Sequence, residues 1–311
     1  MAAGRVGKVG LERVLNLSIV GAPNAGKSSL MNCFFPPSQR LAAVSPKYNT
    51  TRQRQRAILT EGDTQIIFTD TPGIIEQSDL KRFQRTLLKD AVESIEDDGT
   101  DAVLFLVDAA ARLSDRRVRI VEKVRDLCAN NKLDMLLVLN KVDLVKNKRE
   151  LLPLTDRLVS LLSTETYAGP IQTHYISAKS ISDNGMDSLK QSLVNISRPC
   201  PWYYDVDEFT DLTDEKAISE IIRDELFKTY QQEVPYSIVQ ETTVWEPALN
   251  SSKKLLLEQT LHVPTESIRR IVSGKGGSVI RKVSRHAKKR VSAFLSQDVD
   301  LVLSVKVTRG S

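Results

Sequence analysis

The run Gly21-Ala22-Pro23-Asn24-Ala25-Gly26-Lys27-Ser28 fits the spacing G-x-x-x-x-G-K-[ST], and Ser29 follows it. This spacing suits phosphate chemistry. Glycines let backbone N–H groups turn inward around a polyphosphate, the lysine ammonium reaches the β and γ phosphates, and the serine hydroxyl ligates Mg²⁺. A strand pattern precedes the run and a helix pattern follows it, so the positive helix end adds to the anion site. The bland alternative, a glycine turn with a surface lysine, is disfavoured by that context.

Other runs select the nucleotide. Asp70-Thr71-Pro72-Gly73 follows the apolar stretch 65–69. An aspartate at a strand end suits an outer-sphere Mg²⁺ ligand, and the Gly73 N–H can register the loss of a γ-phosphate. Alone, this run is a common turn. After a phosphate loop it is not. Asn140-Lys141-Val142-Asp143 follows the apolar stretch 135–139. The Asp143 carboxylate can accept both N–H groups of guanine's edge, a pairing adenine does not offer. Asn140 can bond N7 and neighbouring loops, while the Lys141 stem covers the base. In Ser177-Ala178-Lys179 the Ala178 N–H can contact guanine O6. In the polar stretch 45–52, Thr51 is favoured over Thr50 to complete the Mg²⁺ shell with Ser28 and Asp70. A loop ordered by the γ-phosphate is a switch. The catalytic set is then Lys27, Thr51, Asp70 and Gly73.

A second chemistry lies near the C-terminus. Gly274-Lys275-Gly276-Gly277 fits G-x-x-G between two helix patterns. The window 267–297 holds nine basic residues and no acidic one, while the whole chain is only +5, so the remainder is at −4. The helix after the loop puts Ile280, Val283, Ala287, Val291 and Phe294 on one face and Arg281, Arg285, Lys288 and Lys289 largely on the other. A glycine loop between basic helices is how KH domains clamp about four nucleotides of single-stranded RNA. The candidate RNA contacts are Arg270, Gly274, Lys275, Gly276, Gly277, Arg281, Lys282, Arg285, Lys288 and Lys289. A solvated helix face would mix signs. A membrane surface would need exposed apolar anchors, and the apolar face here is committed to a core.

Elements must hold these residues in place. A chain of 311 residues suggests two domains. Hydrophobic residues are 41%, which excludes disorder as the main state. No apolar run approaches membrane-spanning length, and three scattered cysteines fit no disulfide framework or paired zinc site. Short apolar strands at 16–20, 65–69, 102–107, 135–139 and 173–176 alternate with amphipathic stretches at 79–95, 114–129 and 148–163. That alternation predicts a doubly wound, mostly parallel α/β sheet. After 198–202 (Arg-Pro-Cys-Pro-Trp) the pattern becomes α-β-β-α-α-β. The expected organisation is an N-terminal tail (1–14), a GTPase domain (15–197), a linker (198–213) and an RNA-binding domain (214–311).

The order of these motifs resembles the translation-factor-related GTPases. Ile74 departs from Ras-like proteins, which carry a water-orienting glutamine there. Intrinsic hydrolysis is therefore expected to be slow, or to rely on a metal ion or partner. Asn24 resembles the residue that holds a monovalent cation in related GTPases, which makes K⁺ a candidate beside GTP/GDP and Mg²⁺. With its α-β-β-α-α-β unit, the chain resembles the Era family, a P-loop GTPase domain followed by an α+β type II KH domain. Thr50-Thr51-Arg52, Ile221-Ile222-Arg223-Asp224-Glu225 and Val234-Pro235-Tyr236-Ser237 strengthen the resemblance. It implies binding to the 3′ end of small-subunit rRNA and assistance to small-subunit assembly. No stable membrane insertion and a monomer are further expectations, although the sequence leaves the oligomeric state open. The segments 243–246 and 298–305 look more like mitochondrial Era-like proteins, which implies the mitochondrial matrix, with a bacterial-type cytoplasm as the alternative. Two other readings stay open. One is an RNA-binding module whose GTPase domain senses nucleotide but barely hydrolyses it. The other is a GTPase of RNA modification or membrane traffic whose basic unit contacts another anion.

Overall fold

The computed structural model describes residues 12–22, 24–36, 39–40, 55–70, 99–165, 167–179, 184–248 and 251–308. They fall into two compact units, the first drawn from 1–34 and 51–211, the second from 35–50 and 212–311.

The first unit is built on one sheet. Strand β1 (Arg13–Gly21) runs into the phosphate loop and helix α1 (Lys27–Cys33). Strands β2 (Gln55–Glu61) and β3 (Thr64–Asp70) form a hairpin. Next come β4 (Ala102–Asp108), α2 (Asp115–Asn131), β5 (Asp134–Asn140), α3 (Leu151–Leu162), β6 (Ile171–Tyr175) and α4 (Asn184–Ile196). The strand order is β2-β3-β1-β4-β5-β6, parallel apart from β2. The expected mostly parallel sheet is present.

Its cause is visible in β4. Ala102 to Leu106 are at most 2% exposed, as a strand covered on both faces requires. On one face α2 sets Ile120, Val121, Val124 and Cys128 against Val103, Phe105 and Leu137. Each fully buried side chain of this size contributes roughly 1.5–3 kcal/mol. Burial also pushes the Cys128 thiol up to about 12, so it is an inert core residue. The hairpin strand β2 and helix α4 escaped the sequence reading. Gly62, at φ +62, begins the two-residue turn with Asp63 that joins β2 to β3, and that pair was a legible hairpin signal. The expected helix 79–95 lies outside the described residues.

The stretch expected to be a linker is instead tied into the first unit as far as Asp211, whose carboxylate accepts from the Arg56 N–H at 3.3 Å. Arg198–Pro199 (β7) pairs antiparallel with β1. Fully buried Gln65 accepts from the Tyr203 and Tyr204 N–H groups at 3.0 and 3.1 Å and donates to the Tyr204 carbonyl at 3.0 Å. Trp202 and Tyr204 pack on Val14, Ile58 and Ile67, and the Ile58 N–H reaches the Phe209 carbonyl at 3.0 Å. The sequence shows prolines and acidic residues here. It does not show that a buried glutamine will bind their backbone.

The second unit follows the expected order. Helix α5 (Asp214–Thr229) leads to β8 (Val239–Ala248) and β9 (Ser251–Val263), then α6 (Glu266–Ser273), the glycine turn, α7 (Ser278–Leu295) and β10 (Asp298–Val307). The sheet order is β10-β9-β8, with β10 parallel and β8 antiparallel to β9. Ile218, Ile221, Ile222 and Leu226 of α5 are buried, as are Ile280, Val283, Ala287 and Val291 of α7. These are the faces the 3.6-residue period marks. Among the described residues, no helix is long and apolar enough to cross a membrane.

Candidate functional site

The carboxyl ends of the parallel strands carry the motifs, as expected for a doubly wound sheet. Gly21 closes β1. A Cβ there would lie 2.5 Å from the Leu106 carbonyl oxygen, so the loop leaves the sheet through a gap only glycine fits. Asn24 has φ +60, and Gly26, at φ +101, caps α1 without a side-chain bond. A helix start with no capping side chain directs N–H groups at whatever occupies the loop. Ala22, Ala25, Ser28 and Ser29 complete the described loop and first turn. Lys27 is 8% exposed, and its ammonium donates to the Gly21 and Ala22 carbonyls at 3.1 and 3.4 Å. The cation thus lies along its own loop, where a polyphosphate would meet it.

Three distant motifs converge on Asn140. Its Nδ2 donates to the Ala25 carbonyl at 2.8 Å, and its Oδ1 accepts from the Ala178 N–H at 3.0 Å. The side chain is 1% exposed. It is also what forbids a side chain at position 26, because a Gly26 Cβ would meet Nδ2 at 2.3 Å. Ser177 donates its hydroxyl to Asp143 Oδ1 at 2.7 Å, which fixes the exposed carboxylate. Lys141 Nζ donates to Asp108 Oδ2 at 2.7 Å. The Cys33 thiol donates to the Ala178 carbonyl at 3.1 Å. Asp108 and Cys33 carried no sequence signal, because neither belongs to a spaced motif. Lys179 is exposed beside this cluster. The arrangement couples the loop 21–28 to the Asp143 carboxylate through Asn140, Ala178 and Ser177.

Asp70 ends β3 in register with Ile19, two residues before Gly21, so its backbone sits beside the strand that feeds the phosphate loop. Pro23, Thr50, Thr51, Thr71, Pro72, Gly73 and Ile74 lie outside the described residues.

In the second unit, Thr265 caps α6 by accepting from the Ile268 N–H at 3.3 Å, and Tyr230 donates to the Val272 carbonyl at 2.8 Å. The helix end before the loop is thereby held. Gly274, Gly276 and Gly277 have φ of +70, +57 and +77, a run that L side chains rarely adopt. A Gly274 Cβ would meet Val279 Cγ2 at 2.4 Å, whereas nothing lies within 4 Å of one at Gly276.

The basic window is less uniform in space than in sequence. Arg269 is bonded to Glu266 at 2.6 and 2.8 Å, and Arg270 lies 3.8 Å from the same carboxylate. Lys288 sits 2.9 Å from Asp300, and Arg290 is paired with Asp224 and Glu225. Acidic residues from outside the window thus engage four of its cations. Lys275, Arg281, Lys282, Arg285 and Lys289 are exposed and have no ion pair among the described residues. They form the accessible cationic surface next to the glycine loop.

Comparisons with known proteins reach both regions. A family model described as 50S ribosome-binding GTPase matches residues 16–141. GTPase Era of Bradyrhizobium diazoefficiens is 34% identical over 291 residues, covering 94% of this chain and 88% of that protein. The mitochondrial GTPase Era of Danio rerio is 30% identical, covering 95% of this chain and 75% of that one. A crystal structure of Era with MgGDPNP and nucleotides 1506–1542 of 16S ribosomal RNA is similar at a TM-score of 0.80 and 27% identity, over 96% of this chain and 94% of that one. Aquifex aeolicus Era bound to GDP and AlF4⁻ gives the same TM-score and identity over 95% and 94%.

Proposed function

Because the chain belongs to the Era family of GTPases, hydrolases acting on GTP, we propose that it is a GTP-driven switch that binds the 3′ end of small-subunit rRNA and assists small-subunit assembly. The observation that carries this reading is the pairing, in one chain, of the Asn140-centred nucleotide cluster with an unneutralised basic surface beside a three-glycine turn. The second unit is read as a type II KH domain, from its element order and its glycine loop. The family model stops at residue 141, before the glycine loop and its basic helices, so its reference to the 50S particle says nothing of the RNA partner. The Era relative solved with 16S RNA spans both units and favours the small subunit.

The phosphate loop 21–29 and Asp70–Gly73 hold the phosphates, and Asn140, Lys141, Asp143, Ser177, Ala178 and Lys179 hold the guanine. Mg²⁺ takes the Ser28 hydroxyl with Thr51 and Asp70. The Ser28 hydroxyl in the first turn of α1 and the terminal position of Asp70 on β3 fit a hard, oxygen-seeking cation. Asn24 is assigned to K⁺, and equal hydrolysis rates in Na⁺ and K⁺ buffers would remove that role. RNA lies along Gly274–Gly277 with Lys275, Arg281, Lys282, Arg285 and Lys289 as its cations, Arg270 and Lys288 contributing at the edge. The protein works as a monomer in the mitochondrial matrix, a location supported by the vertebrate mitochondrial relative. Detection of the chain in a bacterial-type cytoplasm would overturn it.

Ile74 favours a second reading, a nucleotide sensor with negligible turnover. Multiple-turnover phosphate release, with and without small subunits or an rRNA 3′-end oligonucleotide, separates the two. Stimulation by the RNA supports the switch. No turnover under any condition supports the sensor.

A further inference from the structure

We infer that Asp108, at the end of β4, is a specificity-determining residue of the nucleotide site, which keeps the Lys141 ammonium away from Asp143. This inference rests on the reading of Asp143 as the guanine reader.

Lys141 has φ +63 and ψ +34. That left-handed conformation costs a lysine roughly 1–2 kcal/mol, and glycine would avoid the cost. Turn geometry alone therefore does not account for a lysine there, and its side chain is the reason to look further. Its ammonium lies 2.7 Å from Asp108 Oδ2, with the two side chains 28% and 16% exposed. The acceptor is itself fixed. Asp108 Oδ1 accepts from the Ala110 N–H at 3.0 Å, and the Ala109 N–H donates to the Asn140 carbonyl at 2.9 Å. β4 and β5 are in register at Asp108 and Asn140, so the carboxylate stands on a rigid neighbour of the motif.

Asp143 lies two residues beyond Lys141 and is exposed, with the Ser177 hydroxyl on one oxygen. A lysine arm released from Asp108 would have this carboxylate as a nearby alternative. It would then compete with the two N–H donors of guanine. Held by Asp108, the arm is stretched along the loop and Asp143 keeps its free oxygen. Pre-holding also lowers the ordering cost when a base arrives.

The test uses full-length Asp108→Asn, Lys141→Met and the double variant, with GDP and IDP affinities measured by competition against a fluorescent GDP. IDP lacks the 2-amino group and so offers one donor fewer. Asp108→Asn should weaken GDP about 3- to 10-fold, a size set by the cost of one immobilised side chain. IDP should weaken less, so the GDP preference shrinks. Removing the competing arm in the double variant should restore that preference, although both nucleotides bind less tightly than to the wild type. An unchanged preference in Asp108→Asn overturns the inference, as does one that stays low in the double variant. A wild type that does not prefer GDP over IDP would instead overturn the guanine reading itself.

Discussion

The Asn140 amide donates to the Ala25 carbonyl at 2.8 Å across 115 residues of sequence, joining the proposed guanine-reading loop to the proposed phosphate loop. Its other end takes the Ala178 N–H, so one side chain bridges three motifs. Asn140→Ala leaves a buried carbonyl and an N–H without partners. The expected cost is about 1–3 kcal/mol per group, with a lower melting temperature and weaker GDP binding. Calorimetric melting and GDP titration check this together. Loss of affinity with unchanged stability would show that the bridge does not hold the loops.

Asp143→Asn exchanges an acceptor for a mixed amide. The new N–H matches the carbonyl that xanthine carries where guanine has its amino group. Affinity should move from GDP towards XDP by at least tenfold in their ratio, the scale of one mispaired polar group. Competition of both against a fluorescent nucleotide reads it. Equal losses for both bases would count against edge reading.

The glycine loop offers two positions with different physics. At Gly274 any side chain collides with Val279, so Gly274→Asp confounds charge with strain. At Gly276 a side chain enters open space, and aspartate tolerates the left-handed region better than most residues. Gly276→Asp should lower RNA affinity at least tenfold, since it sets a like charge against a phosphate, while the left-handed backbone costs at most about 1–2 kcal/mol of stability. RNA binding equal to wild type would remove the loop from the interface.

Lys288 and Lys289 are neighbours with different surroundings. Lys288 is engaged by Asp300, whose carboxyl is held below the usual range by the hydrogen bonds from Lys288 and Lys254. Lys289 is exposed with no such partner among the described residues. Lys289→Gln should reduce the slope of log affinity against log salt by about 0.7, one single-strand phosphate contact, and Lys288→Gln by less. Salt titrations of both variants decide it, and equal slopes would deny the distinction.

Burial by itself would raise the Glu225 carboxyl, but the Arg290 hydrogen bond and the Lys228 and Arg290 charges outweigh it and hold it below the ordinary value. A carboxyl lowered on folding contributes stability above its unfolded pKa of about 4.3, and that stability is lost as pH falls through the lower folded value. Glu225→Gln should therefore destabilise at neutral pH and flatten the acid side of the melting curve. Parallel melting curves for the two proteins from pH 6 to pH 3 would sink the assignment.

Much of this is legible in the sequence. Fixed spacings announce the phosphate loop, Asn140–Asp143 and the glycine turn, because local backbone chemistry demands those residue types in that order. Periodicity placed α7 to the residue and each strand of the parallel sheet within a few, since burial imposes a period on contiguous chain. What escaped were relations between distant residues. The Asp108–Lys141 pair, the grip of Gln65 on Tyr203 and Tyr204, and the acidic partners of Lys288 and Arg290 leave no periodic trace. A charge count within one window sees nine cations. Only the folding of α5 and β10 against α7 decides which of the α7 cations keep their charge for a partner, because charge pairing at close range depends on distance in space and not along the chain.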